Sequence, residues 1–403
     1  MLNCGFVGKM ELESMKVDKL YSLKVLFITH YPDMYGANRS MLQLILDLKE
    51  YYGIIPIVLL PRGGEITTLL DKYQISYYIF PFHLWCYITS SSGLRFSLSL
   101  IRKRFVNVLT IFRVLCIVKK EKIDVVHSNS SVINIGAYIH WLARVPHFWH
   151  FREFGKIDYD LEYIYPKSIV SWFYNQGATK CIAISKSIQH FYSKFVHQEK
   201  IEMIYNGIKV KSLVPAILKS NSCVDFCMVG LLSPQKNQLL VLKAAHYLFS
   251  NGVTNFHVSF VGNSMENGYD EHLKTFVDVN CMSDYVSFYG YNSDIGIVLS
   301  KMDVGVIASL KEAFGRVTIE YMMYGLPVIA SDSGANSELI DDNITGVLFN
   351  NNDYVSLAHV MEYMINNRER RLEMGRLAQK KAVEHFSSEK NAQLVYQLYR
   401  TYI

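Results

Sequence analysis

Two glutamates eight residues apart, Glu312 and Glu320, carry the clearest chemistry in this chain. They bracket the run EAFGRVTIE, which comes almost directly after the apolar stretch DVGVIAS. An apolar run, then a glycine, then a helical segment puts Gly315 where a helix begins. The backbone N–H groups of Ala313, Phe314 and Gly315 could then point at a phosphate or sugar oxygen. Eight helical residues span about 12 Å. Carboxylate pairs that hydrolyse a glycosidic bond sit at most about 9.5 Å apart. The two glutamates are therefore poorly spaced as a hydrolytic pair. They are well spaced to hold two ends of one elongated ligand, such as the sugar and the ribose of a nucleotide sugar.

Three more loops supply polar groups at the ends of apolar runs. In VGLLSPQKNQ (229–238), Gly230 ends a run and Lys236 stands at a predicted helix start, where an ammonium would meet a diphosphate. In PHFWHFREFG (146–155), His150 is read as aiming its ring into a cleft. His147 lies three residues earlier and faces the other side of the strand. Arg152 and Glu153 come next as candidate contacts to an acceptor or a phosphate. In HYPDMYGANRSM (30–41), Gly36 permits close backbone approach, Asn38 and Arg39 are candidate acceptor or cleft contacts in the loop, and a helix is expected from Ser40 to Leu48. A single glycine is far from G-x-G-x-x-G, so no dinucleotide cofactor is expected. No H-x3-H or Asp-x-Asp element accompanies the histidines, so no metal is expected either.

The block EAFGRVTIE, continued by YMMYGLPVIASDSGANSELI, resembles the E-x7-E signature of family 4 of the retaining glycosyltransferases, which have the GT-B fold. The resemblance runs from Lys24 to about Tyr399. It implies that Glu312 lies near the donor sugar and that Glu320 binds the donor ribose. It implies a histidine near the donor's anomeric region, and His150 fits that position better than His147. The family's G-R-L…K pattern, whose arginine and lysine touch the diphosphate, reads Gly230, Leu231, Leu232 and Lys236 here. With leucine at the arginine position, either Lys236 works alone or Arg316 or Arg39 assists. The GANRS loop, with HSNSSVINIGAY and WHFREFG, resembles a bacterial surface-polysaccharide group of the family. The resemblance implies transfer of a hexosyl group from a nucleoside diphosphate sugar to an acceptor hydroxyl, with retention and without a cofactor. The setting would be O-antigen, capsule or exopolysaccharide synthesis, with a glycan or lipid-linked glycan as acceptor. Two other readings stand at this point: a nucleotide-sugar epimerase of the same fold, and a non-catalytic sugar- or partner-binding module. The presence of Glu312, Glu320, Lys236 and His150 argues against the second.

The elements that must position these loops are strands alternating with helices almost throughout. Runs such as KVLFITH, IIPIVLL, PHFWHF, KCIAIS, VDFCMVG, FHVSFVG and PVIASD are continuously apolar, as strands buried on both faces are. The fold class is α/β, with two Rossmann-like, doubly wound parallel sheets facing a cleft. The expected division is a loosely ordered leader at 1–22, an acceptor domain at 23–206, a linker at 207–222 and a donor domain at 223–384. The family resemblance implies that the segment 385–403 returns to the first domain. The chain has 403 residues, half of them hydrophobic and 19% charged, which suits two domains with substantial cores. A net charge of +5 is too mild to indicate nucleic acid. Seven scattered cysteines without a C-x-x-C pair read as buried free thiols in a reducing compartment. The N-terminus lacks the apolar core of a signal peptide, so the reading is cytoplasmic. RKRFVNVLTIFRVLCIVKK, beside Phe82, Trp85 and Tyr87, suggests peripheral contact with an anionic membrane through residues 82–120. A core-facing helix with solvated ends is the plainer reading of the same run.

Overall fold

The computed structural model describes residues 22–88, 94–155, 161–209, 223–264, 268–292 and 294–403. Nearly all of the expected leader and linker lies outside these residues.

The first half of the chain contributes β1 (Lys24–Ile28), β2 (Ile55–Leu60), β3 (Ser76–Ile79), β4 (Cys86–Ile88), β5 (Val125–Ser128), β6 (His147–Phe151), β7 (Leu161–Tyr163), β8 (Lys180–Ala183) and β9 (Ile201–Met203). Seven of these form one sheet in the order β3-β2-β1-β5-β6-β8-β9. Every neighbouring pair in it is parallel. The second half contributes β10 (Val224–Val229), β11 (Phe256–Val261), β12 (Val286–Phe288), β13 (Val304–Ile307), β14 (Val328–Ser331) and β15 (Gly346–Phe349). These run β12-β11-β10-β13-β14-β15, again all parallel. Strands β5, β6, β13 and β14 are buried at every residue, which explains their unbroken apolar sequences. In both sheets the strand order reverses beside the first strand, between β1 and β5 and between β10 and β13. Open parallel sheets bind ligands at such switch points, outside the carboxyl ends of the strands.

The two-sheet reading is met, with additions. Strand β15 is hidden in the sequence, because GVLF is short and comes after the polar run DDNIT. The antiparallel pair β4–β7 is equally hard to read, each strand being three residues long. The helix expected from Ser40 to Leu48 runs from Gly36 to Tyr52 and stops at Gly53, which has a positive φ of 62°. Its apolar stripe is shorter than the helix. The helix Arg368–Phe386 carries little apolar signal because its buried face is built partly from Gly375, Ala378 and Ala382. Among the described cysteines, Cys116 and Cys281 are exposed rather than buried.

The last helix, Ser388–Thr401, packs on the helix Gly36–Tyr52. Ala392, Val395 and Tyr399 are buried there beside Leu44, Ile45 and Leu48. The aromatic trio Tyr205, Phe314 and Phe386 joins the two halves, with ring centroids 5.1–6.4 Å apart.

The helix Leu94–Glu121 has two apolar faces. Ile111, Val114, Ile117 and Val118 are buried in the first domain, while Ile101, Phe105, Val108, Leu109 and Phe112 are exposed. Neighbouring Phe82 and Trp85 are buried, so they do not reach the surface assigned to them from the sequence. The Trp85 indole N–H donates to the Ser131 carbonyl at 2.8 Å, and its ring stacks on Trp149. Among the described residues no helix is long and apolar enough to cross a membrane.

Candidate active site between the two sheets

The loop from β13 to the helix Arg316–Met323 forms the second-domain wall of the site. Gly315 precedes that helix with φ +81°, a conformation L side chains rarely adopt, and so turns the chain sharply into it. The loop is held from behind by Gly334, where an added Cβ would lie 2.2 Å from the Glu312 carbonyl oxygen. The Ala335 N–H donates to that same oxygen at 2.9 Å. The amides of Ala313, Phe314 and Gly315 donate to no described residue, as expected of the open end of a helix.

The Glu312 carboxylate is gathered on one oxygen. Its Oε1 accepts from Lys236 Nζ and from Ser309 Oγ, both at 2.6 Å. Lys236 does not stand at a helix start. It lies in the turn at 233–237, and the helix begins at Gln238 after Asn237, whose φ is +62°. Gly230 opens this loop as β10 ends. Glu320 pairs with Arg316 one turn earlier, Nε to Oε1 at 3.0 Å. Arg316 also reaches the other domain, its Nη1 donating to Ser40 Oγ at 3.3 Å.

In the first domain, Gly36 opens the helix that faces this loop. Asn38 is buried and braces the loop before it: its Oδ1 accepts from Thr29 Oγ1 at 2.6 Å, and its Nδ2 donates to the carbonyls of Tyr31 and Asp33. It therefore shapes the cleft wall instead of projecting from it. Arg39 donates through Nε to the Met34 carbonyl and through Nη2 to the Tyr291 hydroxyl of the second domain, at 2.8 and 2.9 Å.

His150 departs from the sequence reading. Its ring is fully buried, not open to a cleft. Nδ1 lies 3.1 Å from His127 Nε2 and 3.2 Å from Arg152 Nη2. Its Nε2 has no partner among the described residues. Burial, then the nearby charge of Arg152, hold the His150 and His127 pKa values well below the usual imidazole range. His147 faces the other way, against Ser128 and the Gly177 carbonyl. Arg152 is gripped by Asn129 and Asn206. Glu153 is turned from it and accepts from Ser130 Oγ, Ser131 Oγ and Ser131 N–H at 2.6–2.8 Å. Burial pushes the Glu153 pKa up, and the serine hydrogen bonds oppose that shift.

Sequence reasoning does not assign His127, Tyr399, Asn129, Asn206 or Tyr291. His127 and Asn129 lie in the HSNSS block, and their place at the end of β5 is the signal that could have found them. Tyr399 touches His127 from 272 residues away, which no local pattern reveals. Among the described residues no group of three or more His, Cys, Asp or Glu side chains is placed to hold a metal ion.

Residues 216–381 match the family model "Glycosyl transferases group 1", and residues 88–212 match "Glycosyltransferase Family 4". A relative from Escherichia coli is named UDP-Gal:alpha-D-GlcNAc-diphosphoundecaprenol alpha-1,3-galactosyltransferase. It is 28% identical over 397 residues, covering 94% of this chain and 96% of its own. The capsular polysaccharide biosynthesis glycosyltransferase CapM of Staphylococcus aureus is 25% identical over 250 residues, covering 56% of this chain and 62% of its own. Among solved structures, Anabaena HepE in complex with UDP-glucose superposes with a TM-score of 0.76 at 19% identity, over 94% of this chain and all of that one. A glycosyltransferase from Rickettsia africae superposes at 0.79 with 20% identity, over 94% and 98% of the two chains. The chain belongs to the family 4 glycosyltransferases, retaining hexosyltransferases built on the GT-B fold.

Proposed function

We propose that the chain transfers a hexosyl group from a nucleoside diphosphate sugar to a hydroxyl of a lipid-linked glycan, with retention, in the assembly of a bacterial surface polysaccharide. The observation that carries the reading is the loop 309–316. There a carboxylate is held against a lysine, beside backbone amides without partners and at the mouth of a parallel sheet. Glu312 is assigned to the donor sugar. Lys236, Gly230 and the amides of Ala313, Phe314 and Gly315 are assigned to the diphosphate, and Glu320 to the ribose, with Arg316 between them. Gly36, Asn38, Arg39, His150, Arg152 and Glu153 build the facing wall, where the acceptor enters.

In the transfer step, the bond from the anomeric carbon to the diphosphate oxygen breaks and a bond to the acceptor oxygen forms on the same face. The acceptor's proton passes to the departing phosphate oxygen. Negative charge grows on the diphosphate as the sugar leaves, so a cation already placed there accelerates the step. Lys236 is paired with Glu312 before the donor arrives, and the donor competes for it.

The acceptor assignment draws on the Escherichia coli relative, whose name gives a diphosphoundecaprenol-linked sugar. It also draws on the exposed row Ile101, Phe105, Val108, Leu109 and Phe112. Arg102, Arg104, Arg113, Lys119 and Lys120 are exposed along the same helix, and no acidic residue occurs between Leu94 and Lys120. An apolar row with cationic neighbours suits insertion into an anionic leaflet, and supports a location on the inner face of the cytoplasmic membrane.

The test is incubation of the purified protein and bacterial membranes with a panel of radiolabelled nucleoside diphosphate sugars. Label should enter the organic-extractable fraction, and proton couplings of the product should show the donor's anomeric configuration. An epimerised donor formed without acceptor, or an inverted product, would overturn the proposal. Liposome flotation checks the membrane part: salt-sensitive binding to anionic vesicles is expected, and Phe105→Asp with Phe112→Asp should abolish it.

A further inference from the structure

Arg152 is a buried cation whose hydrogen-bond partners are all neutral. It lies just past β6 and is only 6% exposed. Its Nε donates to Asn129 Oδ1 and its Nη1 to Asn206 Oδ1, both at 2.5 Å, and its Nη2 lies 3.2 Å from His150 Nδ1. A guanidinium has five N–H groups, so these three bonds leave two unclaimed. Among the described residues no carboxylate stands within ion-pair distance of it. Its neighbour Glu153 is occupied by Ser130 and Ser131. A buried charge without a bonded counter-ion is costly, and an anion that docks against it removes the cost.

The place is informative too. Asn129, which holds Nε, also donates to the Ala37 carbonyl at the head of the helix Gly36–Tyr52. Glu153 supplies the leading opposite charge on Arg152, and Arg316, at the head of the donor-loop helix, is close enough for its like charge to act against it. The two guanidinium groups thus lie near the junction of the two loop-to-helix turns.

The chain behind Arg152 has a fixed sense. A guanidinium only donates, so His150 Nδ1 offers a lone pair. That nitrogen has one lone pair, which Arg152 Nη2 shares with His127 Nε2, 3.1 Å away, when the latter carries its proton and donates. His127 Nδ1 is left as an acceptor, and the Tyr399 hydroxyl, 2.5 Å away, donates to it. Tyr399 belongs to the last helix, so the end of the chain reaches back to the cation of the first domain.

We infer that Arg152 binds a phosphate group of the substrate pair, and that His150, His127 and Tyr399 are positioning residues that fix the plane of its guanidinium. The inference rests on the nucleotide-sugar reading above. It gives His150 a role through Arg152 instead of a direct role at the sugar, and it names a cation that stands in for the one missing at Leu231.

Calorimetry with UDP and with uridine, and kinetics with a diphosphate-linked acceptor, separate the two sources of phosphate. In Arg152→Lys and Arg152→Ala, a UDP affinity about 10- to 100-fold weaker, with uridine unaffected, assigns the donor phosphate. A similar rise in KM for the acceptor, with UDP binding intact, assigns the acceptor phosphate. Both values within twofold of wild type in Arg152→Lys overturn the inference. Because Arg152→Ala removes a buried group, Tyr399→Phe gives an independent check. It should move the same parameter in the same direction by roughly two- to fivefold. His150→Gln, whose amide oxygen can accept from Arg152, should recover most of what His150→Leu loses. Nitrogen-15 spectra of the wild-type rings should show His150 and His127 protonated at Nε2; a proton on His150 Nδ1 overturns the chain. Wild-type protein that binds no nucleoside diphosphate overturns the donor reading and this inference with it. Normal binding and turnover in every variant overturn this inference alone.

Discussion

The two walls of the cleft are built from different physics. The first-domain wall is a buried network in which His127, His150, Arg152, Asn129 and Glu153 have almost no exposure. The second-domain wall is made of ion pairs that touch solvent: the Lys236 and Glu312 side chains are 36% and 12% exposed, and those of Arg316 and Glu320 are 23% and 16%. Ion pairs near solvent are worth about 0–1 kcal/mol and can exchange partners cheaply. Groups in a buried network cannot, because breaking one leaves its partner unpaired in a low dielectric. The first wall is thus a fixed template and the second a set of groups ready to trade an internal partner for a substrate. Disturbing the first should cost stability, and at Arg152 phosphate binding as well; disturbing the second should damage the reaction and leave the fold intact.

The largest effect expected from this contrast is on stability against pH. His30, His127, His147 and His150 all belong to the first domain, and burial is the leading cause of a lowered pKa in each. For His30 and His147 the folded value is about 3. A lowered folded pKa means that the unfolded chain binds more protons once the pH drops below about 6.5, so stability rises with pH in that window. It should be fully present above about 6.5 and be lost as pH falls toward the folded values. The loss is up to about 1.4 kcal/mol per pH unit for each histidine. All four tryptophans, Trp85, Trp141, Trp149 and Trp172, also lie in the first domain, so tryptophan fluorescence reports on it. Denaturant unfolding monitored this way should lose several kcal/mol between pH 7.5 and 5. An unchanged midpoint over that range would refute the template description.

Next in size is Lys236→Ala. It should lower kcat by roughly 100- to 1000-fold, as loss of a preorganised electrostatic contact does, while the melting temperature barely moves. If kcat is retained, the diphosphate is held by other groups and the second wall is differently organised. Glu320→Ala should be milder and of another kind. Its partner in the protein is Arg316, and the ribose hydroxyls it is assigned change little along the reaction. The donor KM should rise about 10-fold or more, with kcat nearly kept. A pure kcat loss would exclude the ribose role.

The same contrast explains what could be read from the sequence. The second wall was legible, because Glu312, Gly315, Arg316 and Glu320 lie within nine consecutive residues and Lys236 ends a strand loop. The sheets were legible too, since buried parallel strands are continuous apolar runs. The first wall was legible only in part. His150, Arg152 and Glu153 stood out as a cluster, but a strand period cannot tell a ring that faces a cleft from one sealed beneath it. The sealing comes from β5 and from Tyr399, which the fold brings in from far along the chain. Phe82 and Trp85 misled for a similar reason: aromatic residues beside a basic helix look like a membrane anchor until Trp85 is found under Ser131 and Trp149.

The smallest effect should come from the contact by which Arg39 of the first wall reaches the second domain near solvent. Arg39 Nη2 donates to the Tyr291 hydroxyl at 2.9 Å, and Tyr291 is exposed. Tyr291→Phe removes that acceptor and leaves the ring. Arg39 keeps its bond to the Met34 carbonyl, so the loop at 30–39 should stay in place. An exposed hydrogen bond exchanges with water at little net gain, about 1 kcal/mol at most. The change in kcat/KM should therefore stay within about fivefold and the melting temperature should be unchanged. A larger loss would mean that the bond governs closure of the cleft, and small-angle scattering with and without UDP would then show the variant more open than wild type. A small loss, set beside a large one at Lys236, would locate the catalytic demand in the exchangeable ion pairs rather than in the bond that bridges the domains.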